Sequence, residues 1–221
     1  MQIEIEVPSN LSEITLSQYT RYLKLVEVNQ DVDNIDKFMS LKMLEIFCNV
    51  PYKSAMQFKI VDVNRVVDHL VDLLNQKPEL VQNFSIGDTE FGFIPKLDDM
   101  TFGEYIDLDQ YLGNWESMYK AMAVLYRPID KRIGKFYKIK EYTGDSYHEA
   151  MMLTPLDAVF SSTLFFYHLG IDLSKLMTNS LLEADQKQVT LSEDLVKSGV
   201  GINQFTHSLK EMLDDMKISL E

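Results

Sequence analysis

Carboxylates crowd one short stretch of the sequence: Asp98, Asp99, Glu104, Asp107 and Asp109 all fall within "DDMTFGEYIDLD". Two carboxyl groups held in different environments can share acid–base work. Acids also gather at helix starts, where free N–H groups and the helix dipole favour negative charge, and that plainer cause suffices here. "DVDNIDKFMSLK" from Asp31 opens like a calcium loop, but its sixth position is Asp36 where the loop needs Gly and its twelfth is Lys42 where it needs Glu. His69, His148, His168 and His207 are scattered with no second ligand at metal spacing. Cys48, the only cysteine, excludes an internal disulfide and reads as a small buried hydrophobe in "MLEIFCNV". "SIGDTEFG" lacks the Lys-Ser/Thr that completes a phosphate loop. These residues point to a non-enzymatic chain with no metal site, no cofactor and no catalytic residue.

One run breaks the acidic trend. "YRPIDKRIGKFYKIK" holds Arg127, Lys131, Arg132, Lys135, Lys138 and Lys140, with Phe136 and Tyr137 between them. This basic patch either faces the acidic stretch of its own chain or contacts an acidic partner or a phosphate backbone. The formal net charge of -13 repels polyanions over most of the surface, so nucleic acid is not an expected partner.

The elements that must carry these residues are marked by a pattern written twice, "ITLSQY" and "MTFGEY". Thr15 with Gln18 and Thr101 with Glu104 have capping-box spacing, in which two side chains satisfy free N–H groups at a helix start. Ile14 with Tyr19 and Met100 with Tyr105 are placed as hydrophobic staples. Each motif follows an alternating stretch and an apolar-Pro pair, and "YKSAM" at Tyr52 is echoed by "YHEAM" at Tyr147. The ordered echoes predict an internal duplication, residues 1–85 and 86–180, each a strand-plus-helices unit, with 181–221 as a C-terminal extension. A third match, Thr190 with Glu193, lacks the preceding strand and staple and reads as an ordinary cap.

Periodicity predicts helices over 17–28, 36–48, 63–76, 102–111, 115–126, 156–169, 173–184 and 202–219. Strands are expected over 2–7 and 89–94 and in "KFYKIKEY", the last pairing as a hairpin after Gly134. The fold class is therefore mainly α with minor β. At 46% hydrophobic residues over 221 positions the chain can bury a real core. No leader opens it and the longest apolar run falls short of the roughly 20 residues of a bilayer span, so neither secretion nor a membrane is expected. In the final stretch Ile202, Phe205, Leu209, Met212 and Met216 recur at alternating three and four residues, one narrow apolar stripe that either folds onto the core or docks on a sister subunit or other partner.

"FIPKLDDMTFGEYIDLDQYLGNWESMYKAMAVLYRPI", followed by "YHEAMMLTPLDAVFSSTLFFYHLG", resembles small acidic proteins encoded among the virion and assembly genes of tailed bacteriophages, especially crAss-like phages and related phages of Bacteroidetes hosts. The resemblance covers about residues 90 to 180. It rests most on Thr101, Gly103, Glu104, Tyr105, Ile106, Asp107 and Leu108, then on Ala123, Val124, Leu125, Tyr126, Arg127 and Pro128. It implies a part in building a phage particle in the host bacterial cytoplasm, as an assembly chaperone for tail or hub proteins or as a minor virion component. Phage structural proteins are the partners it implies, and the C-terminal stripe adds a homo-oligomer as a further candidate. The alternative is a host-directed regulatory or anti-defence binding protein made during infection.

Overall fold

Thr15 and Thr101 each start a helix. In the computed structural model, which describes residues 5–29, 35–144, 146–186, 207, 210 and 211, both capping boxes are closed. Gln18 N–H donates to the Thr15 hydroxyl at 3.3 Å and Thr15 N–H donates to the Gln18 side chain at 2.9 Å. Glu104 N–H donates to the Thr101 hydroxyl at 3.2 Å and Thr101 N–H donates to the Glu104 carboxylate at 2.5 Å. A 3-10 turn precedes each cap, Leu11–Glu13 before Thr15 and Leu97–Asp99 before Thr101.

Element order follows from these two entries. The first gives α1 (Leu16–Val28), α2 (Ile35–Phe47), the short α3 (Tyr52–Ala55) and α4 (Ile60–Leu74). A hairpin, β1 (Asn83–Ile86) and β2 (Thr89–Phe93), leads to the second entry. That entry gives α5 (Phe102–Tyr111) and α6 (Met118–Leu125), a second hairpin of β3 (Tyr126–Ile133) and β4 (Phe136–Ile139), the short α7 (His148–Met151) and α8 (Leu156–Gln186). Helix dominates, and the strands form one antiparallel sheet in the order β1-β2-β3-β4. Both hairpins turn through two residues, Gly87-Asp88 and Gly134-Lys135, with the glycines at φ 57° and 60°. Glycine takes that left-handed conformation without a Cβ clash, which is what a two-residue hairpin loop needs.

A single core joins the two units. Met118, Ala121, Met122, Ala123, Val124 and Leu125 bury α6, and Leu156, Ala158, Val159 and Phe160 bury the start of α8. Ser162 and Thr163 lie among them with their hydroxyls donating to carbonyls of the preceding turn, to Ala158 O at 2.7 Å and Val159 O at 2.8 Å, so no polar group is stranded there. Tyr19 packs edge-on to Trp115 and Phe160, with centroids 5.0 and 5.3 Å apart. Across the units, Leu16 N–H donates to Thr154 O and Leu156 N–H donates to Ile14 O, both at 2.9 Å, an isolated bridge between Thr15 and Pro155. Among the described residues that bridge has no counterpart at Thr101. Phe84, Phe91, Phe93 and Tyr126 pack together on the sheet, Phe93 meets Phe165 and Phe166 of α8, and the Tyr126 hydroxyl donates to Val81 O at 2.7 Å.

Several sequence expectations are corrected. Residues 5–7 run extended without a ladder partner, so the described part of the expected 2–7 strand is no strand. The expected helix 115–126 stops at Leu125, because Pro128 disfavours helix at Arg127 and the chain turns directly into β3. The two helices expected over 156–169 and 173–184 are one, α8, which runs through Gly170. β1 went unpredicted. The pair Thr190 and Glu193 lies outside the described residues. So do Ile202, Phe205, Leu209, Met212 and Met216; within that stretch His207, Lys210 and Glu211 are helical and exposed. Among the described residues no helix is long and apolar enough to cross a membrane.

Candidate functional site: a charged cleft with apolar rims

Glu104 is the third residue of α5, and closing the capping box turns its side chain inward. There its second oxygen meets Arg127 Nη1 at 2.5 Å, with both side chains nearly inaccessible to solvent. β3 sets the guanidinium in place: Arg127 lies opposite Gly92 of β2. Gly92 is needed because the Tyr137 ring lies over it, so that a Cβ there would stand 2.5 Å from Tyr137 Cε2. The Tyr137 hydroxyl sits 2.9 Å from Phe93 O and 3.0 Å from Gln82 O, which anchors β4 to the sheet. Burial raises the Tyr137 pKa, with Arg132 opposing it.

Around this pair opens a cleft of about 550 Å³ between the start of α5, the segment Ile94–Lys96 and the end of β4. Lys96, Lys138 and Lys140 line it with Asp99 and Glu141, over a floor that includes Ile94, Ile139 and Tyr142. Tyr142 donates to Asp107 Oδ2 at 2.7 Å, tying the chain after β4 to α5. Burial first, and then the Asp107 carboxylate, push the Tyr142 phenol pKa upward. Both Glu104 oxygens are engaged, one by Arg127 and one by Thr101 N–H, and Arg127 Nε is buried with no acceptor. The pair is therefore a clamp fastening α5 to β3.

The six residues of the expected basic patch do not form one surface. Arg127 is inside, as the buried partner of Glu104. Arg132 pairs with Glu90 and lies over the Tyr137 ring, 5.8 Å from its centroid. Lys131, Lys135, Lys138 and Lys140 are exposed, and none makes an ion pair with another described residue. Lys138 and Lys140 border the cleft, while Lys131 lies on β3 and Lys135 in the hairpin turn itself.

The rims carry what the sequence reading missed. At the hairpin tip Ile133 and Phe136 are 79% and 82% exposed. On α5 Phe102 is 78% exposed, and Tyr105 and Ile106 are exposed beside it, one helical face at i, i+3 and i+4. Tyr105, expected as a staple, therefore stands largely in solvent. Charge spacing alone had flagged both regions. The additional signal was an aromatic or aliphatic residue amid charges, where period alone does not say which face is covered.

Cys48 is buried, and burial raises its thiol pKa to about 11, as for a small core hydrophobe. His69 contacts Pro8 O at 2.8 Å. Among the described residues no three His, Cys, Asp or Glu side chains gather as metal ligands would. No family model, curated protein or solved structure matches the chain.

Proposed function

We propose that this chain is a non-enzymatic structural or assembly protein of a tailed bacteriophage, which binds a larger tail, hub or other virion protein in the host cytoplasm. One observation carries the reading. The stretch with the phage resemblance, about residues 90 to 180, is also the stretch that leaves Phe102, Tyr105, Ile106, Ile133 and Phe136 exposed on two charged protrusions. Exposed apolar side chains rimmed by charge suit a protein interface. The deeper residues of the same stretch serve the clamp and the core. Affinity capture of tagged chain from infected cells, read by mass spectrometry against Phe136→Asp and Ile106→Asp controls, tests this. Virion proteins enriched with the parent and lost with the controls support it. Host proteins alone would turn the reading to a host-directed binder.

We further infer that the body arose by duplication. Each unit runs a 3-10 turn, a Thr-capped helix, a second helix, a four-residue helix and a long helix; the second is preceded by β2, which has no counterpart among the described residues of the first, and has the β3–β4 hairpin added. An experimental structure in which α1–α4 and α5–α8 fail to superpose in that order would remove the inference.

A further inference from the structure

We infer that the tip of the β3–β4 hairpin and the exposed face of α5 are the two halves of one self-association interface, the hairpin of one copy seating on α5 of a second copy. This rests on reading the two rims as protein-binding surfaces and names the partner they take.

The charges are matched in number and opposite in sign. Residues 131–140 hold five cations, Lys131, Arg132, Lys135, Lys138 and Lys140, and no carboxylate. Residues 98–109 hold five carboxylates, Asp98, Asp99, Glu104, Asp107 and Asp109, and no cation. One of each is neutralised within the chain, Arg132 by Glu90 and Glu104 by Arg127. Four lysines then remain against four aspartates, none of them in an ion pair with a described residue. Each set surrounds exposed apolar residues, Ile133 and Phe136 on one side and Phe102, Tyr105 and Ile106 on the other.

Within one copy Lys138 and Lys140 already line the cleft with Asp99, but the tip, with Lys131, Ile133, Lys135 and Phe136, is held away from α5. Ile94 N–H donates to Leu125 O at 2.9 Å, which fixes the α5 end of the sheet beside the start of β3. The tip lies at the far end of β3, and at about 3.3 Å per residue Tyr126 and Ile133 are roughly 23 Å apart. Ile133 pairs with Phe136 across a tight two-residue turn, so the hairpin cannot fold back on itself to close that gap. A second copy offers the acidic, apolar face that the tip lacks and takes the basic, apolar tip that α5 lacks. Opposed patches of this kind steer encounter and set register, while the apolar contacts hold. A nucleic acid or an anionic bilayer would satisfy the lysines but would meet a chain of net charge -13.

Sedimentation of the full chain over a range of concentrations tests this. The parent should self-associate, more weakly as salt rises, because exposed charges are screened over a Debye length of about 8 Å at physiological ionic strength. Lys131→Glu with Lys135→Glu, and separately Asp98→Lys with Asp109→Lys, alter exposed side chains and should melt like the parent. Each should associate at least about tenfold more weakly, since like charges then face each other. An equimolar mixture of the two variants should recover association, because each then presents the charge the other needs. Phe136→Ser should weaken association without changing salt dependence. A parent that stays monomeric, variants that associate like the parent, or a mixture that does not recover would each overturn the inference. So would lysine-dependent binding of a labelled DNA duplex or anionic vesicles by a monomeric parent. If the parent stays monomeric yet captures virion proteins through these same residues, the proposed function stands and this inference fails.

Discussion

The helix starts at Thr15 and Thr101 share a cap, a preceding 3-10 turn and an aromatic four residues after the Thr, yet they end in different surroundings. Tyr19 is 3% exposed, while Tyr105 is 51% exposed. Gln18, closing the first box, donates onward to Ile46 O at 2.8 Å on α2, whereas Glu104 reaches Arg127 on β3. α1 packs on α2 and α8, while α5 packs on α6 and is fastened to β3 by a charged clamp. Capping chemistry is local and decides where a helix begins. What covers each face of the helix is decided by the elements that arrive later, and they cover Tyr19 but leave Tyr105 half exposed.

That difference is most sharply broken at the two tyrosines. Tyr19→Ala should lower stability by about 3–5 kcal/mol, the usual cost of emptying a buried aromatic site. Tyr105→Ala should change it by less than about 0.5 kcal/mol, as surface substitutions do. Denaturant melts of the two variants measure the contrast directly, and equal losses would mean that both helices are covered alike.

The clamp is the next largest effect. Glu104→Ala strands Arg127 in a buried site, which should cost about 3 kcal/mol, the lower end for breaking a buried pair because the cleft lets some water reach the charge. Gln18→Ala, losing neutral hydrogen bonds, should cost about 1 kcal/mol. Replacing both members, Glu104→Met with Arg127→Met, should recover much of the loss, since desolvating a pair offsets most of what its attraction contributes. No recovery would show that the charges hold α5 in a way that packing cannot replace.

How far the sequence disclosed this arrangement follows from the same distinction between local and late contacts. The α5 bounds, the closing of both capping boxes and the hairpin at Gly134 were readable because each depends on neighbours a few residues away. That Arg127 faces the acidic stretch of its own chain was one of the two alternatives open for the basic run, but its burial and its pairing with Glu104 were not legible, because that carboxylate lies a long way back in sequence and was already assigned to a cap. The start of β3 had a signal in "YRP" that the apolar run before it outweighed. The break expected near Gly170 does not occur in α8, where packing along the helix outweighs the poor intrinsic propensity of glycine. The exposed rims were invisible to period, which ranks faces without saying whether anything covers them.

The caps themselves should be nearly equal. Thr15→Ala and Thr101→Ala should each cost about 0.5 to 2 kcal/mol, since each frees the same N–H group. A melt showing loss at one and none at the other would mean that the covering contacts, rather than the caps, fix the helix starts.

An effect of the same order as the caps lies where α5 is tied from its other side. Tyr142 donates to Asp107 at 2.7 Å. The folded pKa of Tyr142 is raised, by burial and then by Asp107, above that of the unfolded chain. The folded state therefore keeps its phenolic proton where the unfolded state begins to lose it. The stability this contributes is fully present below the ordinary tyrosine pKa of about 10 and is lost as pH rises through and beyond it. Tyr142→Phe should thus be weaker than the parent by about 1 kcal/mol near neutral pH, the worth of one hydrogen bond. The gap should shrink as pH is raised past about 10, because the parent then loses what the variant never had. Paired denaturation series at rising pH measure it. A gap near zero at every pH would mean that the ring packs against α5 without the hydroxyl contributing, leaving the Glu104–Arg127 clamp as the polar hold on that helix.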